Sequence, residues 1–98
     1  MKRVVYHRLA AKELINSARF YERSRELLGE AFLSEVDAVA AEIQARPTLG
    51  KCGMQGTLSR RTKRFPFRVI YLLQPDRIWI IAVAHLSRRP GYWARRVA

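Results

Sequence analysis

Cysteine, histidine and, beyond residue 50, acidic side chains are all scarce in this chain of 98 residues. Cys52 is the only cysteine, which excludes an internal disulfide and a multi-cysteine zinc site and fits a reducing compartment. The two histidines, His7 and His85, lie far apart, and neither His-x-x-x-His nor Cys-x-x-Cys spacing occurs. No metal site and no cofactor are therefore expected. No glycine-rich loop leads into a lysine at phosphate-binding spacing. Asp76 is the one acid after residue 50 and sits in turn-like sequence, so paired-carboxylate chemistry is poorly supplied. No apolar run approaches the roughly 20 residues of a membrane helix. No long apolar stretch follows the first basic residues either, so no secretory signal is expected. A cytoplasmic protein without membrane contact is the expectation. The length suits one domain over residues 1–98 and excludes a large catalytic barrel or a two-domain cofactor enzyme.

What the chain has in excess is positive charge. Nineteen Lys and Arg face eight Asp and Glu, a formal charge of +11. Residues 1–50 hold eight basic and seven acidic side chains, whereas residues 51–98 hold eleven basic and one acidic. Ordinary surfaces mix signs. A one-sided excess is the footprint of a polyanion or an acidic protein partner.

Periodicity divides the chain into elements. Arg3 to Tyr6 is β-favouring and too short for a helix. His7 to about Leu28 reads as a helix with Leu14, Ala18 and Tyr21 on one stripe, widened by Ile15, while Glu13, Arg19, Glu22 and Arg23 lie largely off it on the polar side. Gly29 punctuates, and Glu30 to Ala45 repeats the pattern with Phe32, Val36, Val39, Ala40 and Ile43. Arg46-Pro47 stops it, because proline disfavours helical geometry in the residue before it. The two helices are expected to form an antiparallel hairpin.

Thr48 to Thr57 reads as loop, and Leu58 to Arg64 as a weakly alternating, basic strand. Phe65, Phe67, Val69, Tyr71 and Leu73 share one face of the next strand, with Arg68, Ile70 and Leu72 on the other. A turn at Gln74 to Arg77 leads into Ile78 to His85, apolar enough for burial on both faces. The predicted fold is α+β: an N-terminal strand, a helical hairpin and a twisted, mainly antiparallel sheet, with the first strand beside a later one.

Chemistry in the second half falls to arginine, lysine, histidine and tyrosine. Such a set suits RNA 2′-OH transphosphorylation, where cations stabilise the phosphorane and a Tyr, His or Lys moves protons. Arg68 offers a planar fork to phosphate. His85 ends the apolar strand, Arg88 and Arg89 follow it, and Arg60, Arg61, Lys63 and Arg64 form the densest basic run. Tyr92 and Trp93 offer a stacking platform for bases, although Trp93 equally suits an anchor pinning the tail to the core.

The segments FPFRVIY and AHLSRRPGYW, set behind the helical hairpin, resemble the RelE/ParE superfamily of type II toxins, often labelled plasmid stabilisation proteins. The resemblance covers nearly the whole chain. It implies a growth-arresting toxin neutralised by a cognate acidic antitoxin. RelE-like members cleave mRNA on the ribosome, and ParE-like members inhibit DNA gyrase without nuclease activity. Arg68 and Tyr92 match RelE-like positions. Arg61 lies near a functional lysine, and Leu86 replaces a further arginine, with Arg88 two residues on. His85 is similar to a histidine closing the last strand in both branches. The ARFYE and GEAF segments lean toward ParE. The expected function is thus ribosome-dependent mRNA cleavage without a metal, with gyrase inhibition or a non-toxic basic binding module as alternatives, and the resemblance implies Arg61, Arg68, His85, Arg88 and Tyr92 as catalytic candidates. Arg60, Lys63, Arg64, Arg89 and Trp93 are the candidates for contacting nucleic acid or another target.

Overall fold

A computed structural model describes residues 1–97. Two helices, α1 (Arg8–Ser24) and α2 (Leu28–Ala45), pack on one face of a five-stranded sheet. Its strands are β1 (Arg3–Tyr6), β2 (Lys51–Cys52), β3 (Leu58–Arg61), β4 (Phe67–Leu73) and β5 (Arg77–His85). Their order across the sheet is β1-β5-β4-β3-β2, with β1 parallel to β5 and every other pair antiparallel. The α+β hairpin-on-sheet architecture matches the sequence expectation, and β1 does pair with a later strand.

The helices earn their place through the expected stripes. Ala10, Leu14, Ala18 and Tyr21 of α1, with Phe32, Val36, Val39, Ala40 and Ile43 of α2, meet Phe67, Val69, Tyr71, Ile78, Ile80 and Val83 of the sheet. Ile15 is a correction: it lies off the stripe and is 46% exposed. His7 caps α1 by accepting a bond from the Leu9 N–H at Nδ1 (3.0 Å). Arg46 ends α2 as expected, with its N–H on the Glu42 carbonyl.

The hairpin turn differs from the reading of Gly29 as a break. Helix α1 stops at Ser24, and Gly29 lies buried in the first turn of α2. A Cβ there would stand 2.6 Å from the Ala18 carbonyl oxygen, so glycine permits the two helices to approach. The reversal is made instead at Leu27, a left-handed residue with φ 68°. Glu22 secures it by accepting the N–H groups of Leu27 (3.0 Å) and Gly29 (2.9 Å). This carboxylate takes the place of an ordinary side-chain cap on α2.

Four further departures lie in the sheet. The stretch taken as loop contains β2, a two-residue edge strand on β3. The basic strand is shorter than predicted, because Lys63 and Arg64 belong to the bend between β3 and β4. Phe65 likewise precedes β4, although its ring remains in the core. A bulge interrupts the β4–β5 ladder: Ile70 pairs with Ala82 and Tyr71 with Ile80, leaving Ile81 unpaired. Ile81 and Ala82 consequently both pack on the side away from the helices, and the alternation downstream is inverted. This inversion sets His85 opposite Phe67, edge-on at 5.1 Å between ring centroids.

The face away from the helices is covered by the C-terminal segment. Trp93 is buried against Ile70, Ile81, Ala82 and Ala84. Strand β5 is thus buried on both faces, as its unbroken apolar run requires. No helix among the described residues is long and apolar enough to cross a membrane.

Candidate functional site

At the end of the sheet where β4 begins and β5 finishes, two grooves flank His85 and Arg88. The first, about 390 Å³, has a floor of Ile70, Ala84 and Trp93, with Lys51, Arg68, Arg88 and Arg89 among its lining. The second, about 410 Å³, runs along α1 beside Phe20, Tyr21, Phe67 and Val83. His85 and Arg88 border both.

The strand register explains the cations. Arg61 of β3 lies directly opposite Arg68 of β4, and Arg68 opposite Ala84 of β5. Arg68 is half-buried, and its Nη1 donates to Ser59 Oγ (3.1 Å), a neutral partner that leaves its charge intact. Arg61 is exposed at the edge of the same row. Asp76, the sole acid of the second half, sits at the opposite end of the β4–β5 hairpin, before Arg77. Among the described residues, no acidic side chain is paired with Arg61 or Arg68.

His85 is fixed by the segment that follows it. Its Nδ1 accepts the Ser87 N–H (3.0 Å) and lies 2.8 Å from Ser87 Oγ. That acceptor role places the ring proton of the neutral imidazole on Nε2. Arg88 is exposed, with its guanidinium carbon 3.8 Å from the centre of the Tyr92 ring. This cation–π distance is short enough to hold the arginine over the ring.

Tyr92 itself is not free. Its hydroxyl donates to Glu13 Oε2 (2.6 Å). Burial, followed by the bond and charge of Glu13, raises its pKa well above the ordinary phenol value. Expected as a proton-moving residue, it is a hydroxyl already committed within the fold. Glu13 is the residue that sequence reasoning missed, since it was grouped with the polar side of α1.

Several other candidates are placed elsewhere. Trp93 is placed as groove floor and tail anchor rather than as a stacking platform, because the residue is only 5% exposed. Arg60 donates to Glu42 on α2 (2.9 Å) and is neutralised there. The parity of β3 turns it away from Arg61. Lys63 and Arg64 are exposed in the β3–β4 bend. Glu35 accepts the backbone N–H of Arg64 (2.8 Å), and the Arg64 guanidinium lies over Phe65. Arg89 is exposed beside the first groove, as the cationic reading requires. The structure thus brings together Arg68, His85, Arg88, Arg89 and Tyr92, with Arg61 at the rim. It separates Arg60, Lys63 and Arg64 from that lining, and Trp93 enters it as buried apolar floor. Among the described residues no group of three His, Cys, Asp or Glu side chains could hold a metal ion.

All four tyrosines have pKa values raised principally by burial. A raised folded-state value means that the native chain retains phenolic protons that the unfolded chain has released. The associated stability is complete below the unfolded value of about 10 and declines as pH rises beyond it. Near-UV absorbance is expected to show phenolate appearing together with unfolding in alkali. Independent titration of all four phenols in a folded chain would contradict the packing described.

A family model described as the ParE toxin of the type II toxin–antitoxin system, parDE, matches residues 4–90. The chain belongs to this family. No curated protein sequence matches it. Among solved structures, a chromosomal ParDE toxin–antitoxin system from P. aeruginosa is similar in fold, with a TM-score of 0.65 at 16% identity. The similarity covers 89% of this chain and 98% of that one.

Proposed function

We propose that this chain is a growth-arresting toxin that acts by holding DNA gyrase at its groove end, and that an acidic antitoxin covers the same end. The observation carrying this reading is the engagement of Tyr92 by Glu13. Nucleic-acid cleavage by proton transfer needs one group to accept a proton and another to donate one. With Tyr92 committed, the lining groups suited to proton exchange are His85, held at Nδ1 by Ser87, and Lys51 and Cys52 on the edge strand β2. The three arginines of the first groove, Arg68, Arg88 and Arg89, are permanent cations and suit gripping better than proton transfer. Family membership over residues 4–90 supports the toxin part of this reading.

In a supercoiling assay with purified gyrase, the chain is expected to inhibit at near-stoichiometric amounts. Unaffected supercoiling at large excess would refute the gyrase reading. The opposed pair Arg61 and Arg68, with His85 nearby, favours a second reading: ribosome-dependent mRNA cleavage without a metal. Primer extension on translated mRNA separates the two, because cuts at the ribosomal A site would appear only under the second. In either case, antitoxin affinity is expected to fall with salt, as screening limits charge attraction to about 8 Å at physiological ionic strength.

A further inference from the structure

Strand β1 pairs with β5 only as far as Tyr6 and Ile80. Beyond that point, side chains satisfy the exposed edge of β5. Glu13 Oε1 accepts the Val83 N–H (3.0 Å), and Arg96 Nη1 donates to the Ile81 carbonyl (2.9 Å). The same two residues form a fork: Arg96 Nη1 to Glu13 Oε1 and Nη2 to Oε2, both 3.0 Å. Tyr92 adds its hydroxyl at Oε2. Each Glu13 oxygen therefore accepts two bonds, filling the roughly four lone-pair sites of a carboxylate. The donors come from β5 and from two points of the C-terminal segment, some 70 to 83 positions along the chain. The Glu13 side chain is 17% exposed and that of Arg96 12%, so the pair is sheltered from most solvent screening.

The consequence reaches the grooves. Tyr92, held by Glu13 at its hydroxyl, presents its ring to Arg88, and Arg88 stands between the two grooves. We infer that Glu13 is the positioning residue of the cationic site, clamping the C-terminal segment through Tyr92 and Arg96 so that Arg88 is presented at a fixed place. The functional half of this inference rests on the toxin reading above. Glu13 itself need not touch the target.

The test compares Glu13→Gln and Tyr92→Phe with the parent chain. Glu13→Gln turns an amide N–H₂ toward donors that already point inward, so it opposes the clamp. Tyr92→Phe keeps the ring beneath Arg88 and removes only one bond. Trypsin cleavage after Arg88 and Arg95 reports on the tail, and cleavage after Arg19 and Arg23 reports on the hairpin. In Glu13→Gln the ratio of tail to hairpin cleavage is expected to rise tenfold or more. The dose giving half-maximal growth arrest should rise at least as much. Tyr92→Phe should move both readouts in the same direction by a few-fold.

Equal acceleration at all sites would reduce Glu13 to general stability and overturn the inference. A loosened tail with undiminished growth arrest would overturn its functional half. If Glu13→Gln does not fold, Tyr92→Phe decides alone, and an unchanged cleavage ratio and dose there would overturn the proposal. A parent chain that never arrests growth would defeat the toxin reading and, with it, the functional half. The clamp would still stand or fall on the cleavage ratio.

Discussion

Phe32→Ala is expected to lower the stability of this domain by about 3–5 kcal/mol, the usual cost of emptying a buried phenylalanine site. Phe32 is fully buried, and its ring lies 5.3 Å from Tyr21, 5.3 Å from Phe65 and 4.8 Å from Phe67. The ring joins α2 to α1, to the β3–β4 bend and to β4. Truncation removes apolar contact at three surfaces, together with an edge-to-face interaction with Phe65 worth about 0.5–1.5 kcal/mol. Small domains hold only about 5–15 kcal/mol in total. A shift of about 4–8 °C per kcal/mol places the expected fall in melting temperature on the order of 20 °C. Scanning calorimetry measures it directly. A loss below about 1 kcal/mol would mean that this aromatic cluster does not hold the hairpin to the sheet.

Arg68→Glu is expected to have the second large effect, on function with little change in fold. The side chain is half-buried in the first groove and, among the described residues, bonded only to Ser59. Reversal removes a fixed cation from a lining without competing acids and places a like charge toward an acidic ligand. Losing one partner of a hydrogen-bonded charge pair at an interface costs about 2–5 kcal/mol, or roughly 30-fold to several thousand-fold in affinity. The dose of toxin needed for growth arrest should rise accordingly. Arg3→Glu makes the same change of charge on the exposed end of β1, beside Arg77 and remote from His85 along β5. It should leave the dose within about threefold. Equal effects from both would show that net charge, not the groove, governs toxicity.

Local periodicity made much of this fold legible. Four β-favouring residues gave β1, the spacing of Phe32, Val36, Val39 and Ile43 gave α2, and the unbroken Ile78 to His85 run announced a strand covered twice. Arg68 and Phe67 were correctly assigned to opposite faces of β4, because alternation alone decides that. What sequence could not supply was long-range. Gly29 looked like a chain break, whereas its need is close approach to Ala18. The Ile81 bulge, invisible in an apolar run, changes which face His85 joins.

The site was legible in composition more than in arrangement. Arg68, His85, Arg88 and Arg89 converge, but Arg60 is spent on Glu42 and Trp93 on the core. Glu13 looked like one more solvated acid on α1. Its partners Val83, Tyr92 and Arg96 are remote in sequence, and no periodic signal connects them.

The central claim is that the grooves flanking His85 and Arg88 are the surface through which this ParE-family chain acts. Hydrogen-exchange mapping of the chain bound to purified gyrase tests it most directly. The account predicts slowed exchange at residues 51–57 and 86–93 and at Arg68, with the exposed outer positions Leu27, Asp37 and Ala38 of the hairpin unchanged. Protection confined to Leu27, Asp37, Ala38 and their neighbours, with the groove segments exchanging as in the free chain, would contradict it.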